Sequence, residues 1–246
     1  MSLESLEDKK YIAFWGYPDP NVIKEYRTKY PNLEWLDLDI DFGVPDLNLL
    51  PDVSCKIIKN LINNAFFYRD KIFKIISAVG KEKCDSGWIA ATLLEKYGFD
   101  VIQTKYENIS NPKPLVYSTS NLPLFDKVNL IMNSIPSPIK TDCEYVQPKF
   151  GFWGVPPNDI DILKLFPNET HVYGWIRCCE AGVPADIEME MFVDENVPTV
   201  FYSQAFCAKG QLAKYLANKY SGLYIDIDDY STNSIKAKIE AFLRLR

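Results

Sequence analysis

Short apolar runs alternate along the chain with longer segments in which apolar residues recur at helical spacing. Two aromatic and β-branched runs, residues 11–15 and 150–153, stop at a Gly-x-Pro turn and therefore predict strands. Further strands are predicted at 33–40, 71–79 and 100–106, and at 171–179, 198–206 and 223–227. Helices are predicted at about 21–29 and 159–165. Strands that alternate with helices predict βαβ units and a mostly parallel sheet.

A helix that opens with Cys-x-x-Gly follows the third strand of each half. The first begins at Cys84 and Gly87, and the second begins at Cys207 and Gly210. An i, i+4, i+8 pattern predicts one buried stripe on each helix. The stripes comprise Ile89, Leu93 and Tyr97, and Leu212, Leu216 and Tyr220.

Matching blocks recur in the same order in both halves of the chain. Phe-Trp-Gly-x-Pro occurs at 14–18 and 152–156, and Gly-Val-Pro occurs at 43–45 and 182–184. We interpret these blocks as an internal duplication. The predicted fold is α/β, with two tandem Rossmann-like or flavodoxin-like lobes.

The predicted boundaries follow from these blocks and from a segment rich in proline and polar residues. The first lobe spans residues 10–135 and carries a helical insert at about 51–70. A linker spans 136–147, and the second lobe spans 148–246.

Composition and charge indicate a protein with a core of its own and argue against nucleic-acid and membrane partners. The 246 residues are 47% hydrophobic and 14% aromatic, which is enough for a sizeable core. A net charge of −6 supplies no basic excess for nucleic acid. No apolar run approaches the roughly 20 residues that a membrane helix needs, and the charged start lacks a signal peptide. We expect a cytoplasmic protein without a nucleic-acid or membrane partner, while the sequence leaves its oligomeric state open.

The repeated turns are the predicted ligand-binding positions, because open α/β sheets bind ligands beyond the carboxyl ends of their strands. The same glycines and prolines also suit tight turns without a ligand, and the two tryptophans also suit the core. The predicted ligand-binding residues are Trp15, Gly16, Pro18, Gly43, Pro45, Gly87, Trp153, Gly154, Pro156, Gly182, Pro184, Lys209 and Gly210.

Three hypotheses compete for Cys84 and Cys207. They are small buried core residues, thiolate ligands of a metal or iron–sulfur cluster, or the two thiols of an isomerase-like or racemase-like enzyme. The metal hypothesis adds Cys178 and Cys179, which the sequence places at the end of a strand. Binding of an anion by the helix N-termini alone is a fourth possibility.

Missing motifs exclude several chemistries. The single histidine, His171, rules out a multi-histidine zinc site. Neither the dinucleotide fingerprint nor the P-loop occurs, so no NAD or ATP site is predicted. Asp37, Asp39 and Asp41 alternate with apolar residues, which favours a solvated edge strand over a divalent-cation site.

The sequence therefore predicts that a small-molecule or metal cofactor binds in a cleft between the lobes, with Cys84 and Cys207 as its thiol ligands. The alternatives are a non-catalytic module that binds an anionic metabolite while these cysteines lie in the core, and a two-thiol enzyme. The identity of the cofactor and the existence of catalysis stay open.

Overall fold

A computed structural model describes residues 9–80, 83–109, 111–138 and 142–246 of the chain. Its contacts form two units, which meet in sequence between Glu107 and Asn108. The charged start at residues 1–8 and residues 139–141 of the predicted linker lie outside the described residues.

The first unit contains a four-stranded parallel sheet in the order β2-β1-β3-β4. Its strands are β1 (Tyr11–Trp15), β2 (Glu34–Asp37), β3 (Ile72–Ala78) and β4 (Val101–Thr104). Its helices are α1 (Pro20–Lys29), α2 (Lys56–Phe67) and α3 (Asp85–Lys96), and a short 3₁₀ turn spans Arg69–Lys71. Asp19 starts α1 by accepting a hydrogen bond from Asn21 N at 2.8 Å, and Pro20 suits the first helical position.

The second unit repeats this topology with the sheet order β6-β5-β7-β8, and all three strand pairs are again parallel. Its strands are β5 (Phe150–Trp153), β6 (Thr170–Tyr173), β7 (Thr199–Gln204) and β8 (Leu223–Ile227). Its helices are α4 (Leu124–Asn133), α5 (Trp175–Ala181), α6 (Ile187–Met191), α7 (Lys209–Lys219) and α8 (Asn233–Leu245), with a 3₁₀ helix at Ile160–Leu165. Two Rossmann-like lobes of the same strand order confirm the predicted fold class and agree with a duplication.

Each lobe has a core between its sheet and its helices. In the first lobe, Ala13 and Ile75 from the strands are fully buried together with Leu94 from α3 and Leu61 from α2. In the second lobe, Trp153, Phe201 and Leu216 are the corresponding buried residues. The predicted helical insert thus contains α2, whose apolar face supplies part of the first core.

Three sequence predictions need correction. The strand predicted at 171–179 ends at Tyr173, because Gly174 takes a φ of 73° and turns the chain into α5. The strand predicted at 33–40 ends at Asp37. The buried stripe predicted for α3 is wrong, because Ile89 and Tyr97 are 48% and 44% exposed. Other residues of α3 face the core. The residues of α3 that are buried are Gly87, Ala90, Ala91 and Leu94.

The unit boundary lies well before the predicted linker, because residues 108–135 pack on the second lobe. Buried Lys127 of α4 donates to Asn168 O at 2.8 Å and to Thr170 O at 2.6 Å. The Glu180 carboxylate of α5 accepts the main-chain N–H of Val116 at 2.7 Å. These bonds attach α4, which follows the first lobe in sequence, to the second sheet.

Within the described parts of the chain, every helix is too short or too polar to cross a bilayer.

Candidate functional site

The carboxyl edge of the first sheet gathers the turn after β1 and the start of α3. Gly16 leaves β1 with a φ of 62°, which favours glycine, and the buried Tyr17 and Pro18 follow it. A Cβ on Gly16 would lie 3.1 Å from the Ala78 Cβ at the end of β3. The predicted turn after β1 therefore lies where β1 and β3 separate, which is the usual ligand position in such sheets.

Asp39 holds this turn in place, since its Oδ2 accepts the Gly16 N–H at 2.7 Å. Asp37 Oδ1 in turn accepts the Asp39 N–H at 3.0 Å. Burial raises the pKa of Asp39 to about 6. Burial and the nearby Asp39 carboxylate raise the pKa of Asp37 well above its usual value. Asp37 and Asp39 are half-buried, β2 is an edge strand as predicted, and the strand ends at Asp37. Sequence reasoning missed Asp39 as part of this edge.

Trp15 is the most unusual residue of this edge. Its side chain is 4% exposed, and its indole Nε1 has no hydrogen-bond acceptor among the residues that the structure describes. A Cβ on Gly87, in the first turn of α3, would lie 3.5 Å from that nitrogen. A buried donor without an acceptor costs about 1–3 kcal/mol, and it calls for an explanation.

The first turn of α3 adds further donors beside the indole. Cys84 is the N-cap of α3, but its side chain makes no capping hydrogen bond. The first N–H groups of a helix carry a partial positive charge and lack helical acceptors. Half-buried Lys83 adds a cation just before the helix, whereas exposed Asp85 adds a carboxylate in its first turn. The indole N–H and the first turn of α3 therefore lie close together, while the Gly87 N–H of that turn bonds to Cys84 O at 3.0 Å.

In the second lobe, Glu190 of α6 satisfies the corresponding groups. Its main-chain oxygen accepts the Trp153 indole N–H at 2.6 Å. Its carboxylate, which is 5% exposed, pairs with Lys209 at the first position of α7. One glutamate thus supplies an acceptor to the tryptophan and a negative charge to the start of the helix.

Buried Arg177 keeps α6 in that position. Its Nη2 donates to Met189 O at 2.7 Å and to Phe192 O at 2.8 Å, at the carboxyl end of α6. Its guanidinium lies 4.9 Å from the Tyr173 ring centroid, over the ring. Burial lowers the pKa of Arg177 from its ordinary high value. The second edge is therefore filled by the chain itself.

Gly154 and Pro156 follow Trp153 in this filled edge. A Cβ on Gly154 would lie 2.7 Å from Tyr202 O, so only glycine fits between β5 and β7. Pro156 is half-buried. The turn after β5 is thus a close-packed joint.

A pocket of about 250 Å³ lies farther along the second edge, beyond β7 and β8. Cys207 lines it, and so do the hydroxyl groups of Ser203 and Tyr224, which lie 3.3 Å apart. A Cβ on Gly210 would lie 3.0 Å from Ser203 Oγ, so the glycine admits this hydroxyl against α7. Sequence reasoning missed Ser203 and Tyr224, whose spacing in the chain gives no signal.

Four other predicted ligand residues do not lie at a strand end. Gly43 follows β2 by six residues, bonds through its N–H to Asp41 Oδ1 at 2.8 Å, and is followed by exposed Pro45. Gly182 is the left-handed C-cap of α5, and buried Pro184 follows it. These residues form turns and caps at some distance along the chain from their strands.

The cysteines also depart from expectation. Cys84 is exposed and Cys207 is half-buried, so the hypothesis that both are core residues is wrong. Cys178 and Cys179 are buried on α5 rather than at the end of a strand. Burial raises the pKa of the Cys178 thiol to about 12. A thiol in that state is a poor metal ligand, because the ligand is the thiolate.

Among the described residues, no three His, Cys, Asp or Glu side chains lie close enough together to hold a metal ion. The predicted metal set is therefore unsupported. His171 Nε2 lies 2.8 Å from Val146 O and helps to attach residues 142–147 to β6.

Comparison with known proteins found no matching family model and no matching curated protein.

Proposed function

We propose that the first lobe binds a small molecule through an anionic hydrogen-bond acceptor, placed between Trp15 and the first turn of α3. The observation that carries this proposal is the buried indole N–H of Trp15, which has no acceptor among the described residues. This function corresponds to the anion-binding alternative from the sequence, but it leaves Cys84 at the surface.

Electrostatics supports an acceptor rather than a cation. The Trp15 indole nitrogen lies beside the first turn of α3, because a Cβ on Gly87 would lie 3.5 Å from it. Donors that converge repel a cation and attract an oxygen with a negative charge. Gly87 leaves open the space that a side chain would fill, since its Cβ would stand 3.5 Å from the indole nitrogen.

The second lobe supports the same proposal by contrast. Its tryptophan, Trp153, already has an acceptor in Glu190 O, and its helix α7 already has a carboxylate beside it. The proposed ligand does in the first lobe what Glu190 does in the second.

The metal and two-thiol hypotheses remain predictions with less support. Both require thiolates, whereas burial raises the pKa of the Cys178 thiol to about 12, and no group of three potential metal ligands occurs among the described residues. Iron, zinc and acid-labile sulfide analysis after anaerobic purification tests the metal hypothesis, which fails if none is present near stoichiometric amounts.

Thermal unfolding tests the proposal. Phosphate, acetate or glutarate should raise the melting temperature above that in chloride at equal ionic strength, because ligands stabilise the state that binds them. Phosphate also stabilises proteins without a site. A Gly87→Ala variant separates the two effects, since its methyl group would cover the indole N–H.

Gly87→Ala should fold, because its φ is not left-handed and its Cβ makes ordinary contacts. Thr92→Ala is the matched control on the same helix, where the threonine hydroxyl bonds to Trp88 O of its own helix at 3.1 Å. We expect stabilisation by anions in the wild type and in Thr92→Ala, and its loss in Gly87→Ala. Equal stabilisation of all three proteins by every anion would overturn the proposal.

A further inference from the structure

We infer that the pocket past the ends of β7 and β8 binds a neutral ring that carries several hydroxyl groups, as a single sugar unit does. This inference goes beyond the proposed function, because it concerns the second lobe and not the residues around Trp15. The pocket lies at the carboxyl edge of the sheet, the usual ligand position in such folds. Its volume of about 250 Å³ is slightly below the about 300–1,000 Å³ of pockets for drug-sized molecules. A ligand with one ring therefore suits it.

Buried Gln204 holds the strand ends that form this pocket. Its Nε2 donates to Ile227 O at 2.7 Å and to Asp228 O. Its Oε1 accepts the Tyr202 hydroxyl at 2.8 Å. These bonds join the ends of β7 and β8 and occupy both ends of the buried amide. The pocket is therefore preformed, and recognition of a ligand falls to its other side chains.

The inner wall of the pocket carries two hydroxyl groups, those of Ser203 and Tyr224. Ser203 is 2% exposed, and its Oγ lies 3.3 Å from Tyr224 Oη. One hydrogen bond between two hydroxyl groups uses only one of their two hydrogens. Neither hydroxyl bonds to any other group in the part of the chain that the structure describes. The second hydrogen is therefore available to an oxygen of a ligand in the pocket.

The open side of the pocket carries charges of both signs. Lys214 of α7 and Asp226 of β8 line it, and both are exposed. A ligand hydroxyl can accept from an ammonium group and donate to a carboxylate. A ligand with a net charge is attracted by one of these residues and repelled by the other. A zwitterion gains little from them, because exposed ion pairs contribute little. The two charges therefore favour a neutral ligand with several hydroxyl groups.

Phe206 gives the pocket an apolar surface. Its side chain is 60% exposed, and its φ of 62° is left-handed, a conformation that bulky residues rarely adopt. Residues with such backbone strain cluster at ligand sites. An exposed aromatic ring can pack on the C–H face of a sugar ring and remove both apolar surfaces from water. Apolar faces together with hydroxyl groups at the edge are the combination that a sugar presents.

Saturation-transfer NMR of the full chain with glucose, galactose, mannose and ribose tests the inference. We expect at least one of these sugars to bind in the millimolar range. Tyr224→Phe should weaken its binding about five-fold or more, because a hydroxyl group of the pocket is lost. Phe206→Gly should weaken it by a similar factor, because the aromatic surface is lost. Tyr215→Phe, at an exposed tyrosine of α7 outside the pocket, is the matched control and should bind like the wild type.

Melting temperatures separate a loss of binding from a loss of the fold. Phe206→Gly should melt close to the wild type, because glycine adopts a left-handed φ without strain and the replaced side chain is 60% exposed. Gly87→Ala should bind the sugar like the wild type, so the inference and the proposed function can fail independently. The methyl glycoside of the sugar identifies its source. Equal binding supports the terminal sugar of a glycoside, and weaker binding supports a free sugar.

Three results would overturn the inference. The first is that none of the four sugars binds. The second is equal binding by the wild type, Tyr224→Phe and Phe206→Gly, which would place the sugar elsewhere. The third is that alanine, a zwitterion, binds in a Tyr224-dependent manner and the sugars do not, which would show that the ligand class is wrong.

Discussion

The indole N–H of Trp153 donates to the main-chain oxygen of Glu190 at 2.6 Å. Trp15 occupies the matching place in the first lobe and is also buried, yet its N–H has no acceptor in the described chain. Two copies of one topology therefore treat the same donor differently. The difference explains why we place a ligand beside one tryptophan and a piece of the chain beside the other.

Replacing each tryptophan by phenylalanine should have unequal effects. Trp153→Phe leaves the buried Glu190 oxygen without its donor, which adds about 1–3 kcal/mol to the cost of the cavity. Trp15→Phe removes a buried donor that has no acceptor among the described residues, which relieves about 1–3 kcal/mol and offsets part of the cavity cost. Urea unfolding of both variants measures the difference. Equal losses of unfolding free energy would contradict the different bonding of the two indoles.

Replacing Asp39 by asparagine should change how stability depends on pH. The amide oxygen can still accept the Gly16 N–H, while the buried charge disappears. Because the folded pKa of Asp39 is raised to about 6, the folded state binds more protons than the unfolded state between pH 4 and 6. Wild-type stability therefore falls as the pH rises through this window.

Asp39→Asn should consequently gain stability relative to the wild type at pH 7, by up to about 3 kcal/mol, and lose this gain near pH 4. The neighbouring Asp37 also has a raised pKa and keeps part of the dependence. Chemical unfolding across this pH range provides the measurement. A difference between variant and wild type that does not vary with pH would show that Asp39 is solvated.

Thiol labelling should follow the exposure of the cysteines. Cys84 is exposed and should react first with iodoacetamide, while Cys207 is half-buried and should follow. Burial raises the pKa of Cys178 to about 12, so little of its reactive thiolate forms at neutral pH and Cys178 should react slowest. Time-resolved peptide mass spectrometry records the order. Fast labelling of Cys178 in the native protein would contradict its burial.

Fragments of the chain test where the second lobe begins. Residues 108–246 should unfold cooperatively on their own, because they retain α4 with Lys127 and the Val116 bond to Glu180. Residues 148–246 should not, because Asn168 O and Thr170 O lose the buried ammonium. Circular dichroism melting of both fragments distinguishes them. Equal cooperativity would favour the linker at 136–147.

Sequence patterns predicted the strands well because each strand has a local signature. Aromatic and β-branched runs that end at Gly-x-Pro located β1 and β5, and β8 spans the predicted residues 223–227. The parallel arrangement of the strands also follows from the alternation of strands and helices. The run at 171–179 was misread, because a short apolar run followed by a helix resembles one longer strand.

The site was predicted less completely, since its contacts join residues far apart in the chain. Trp15, Gly16 and Gly87 were identified by repetition alone, and they do lie together. Asp39 and Glu190 match no repeated block, and their roles depend on bonds across 23 and 37 residues. The sequence also gave no reason to treat the two tryptophans differently, because that difference lies in α6.

The indole signals of ¹⁵N-tryptophan-labelled protein test the central claim most directly. We predict that phosphate or acetate, used as the anionic probe, moves the Trp15 indole proton downfield, as a new hydrogen bond does, and leaves the Trp153 signal in place. The indole signal that disappears in the Trp15→Phe variant is that of Trp15. A Trp15 signal that stays fixed at saturating probe, while the probe binds elsewhere, would contradict the account.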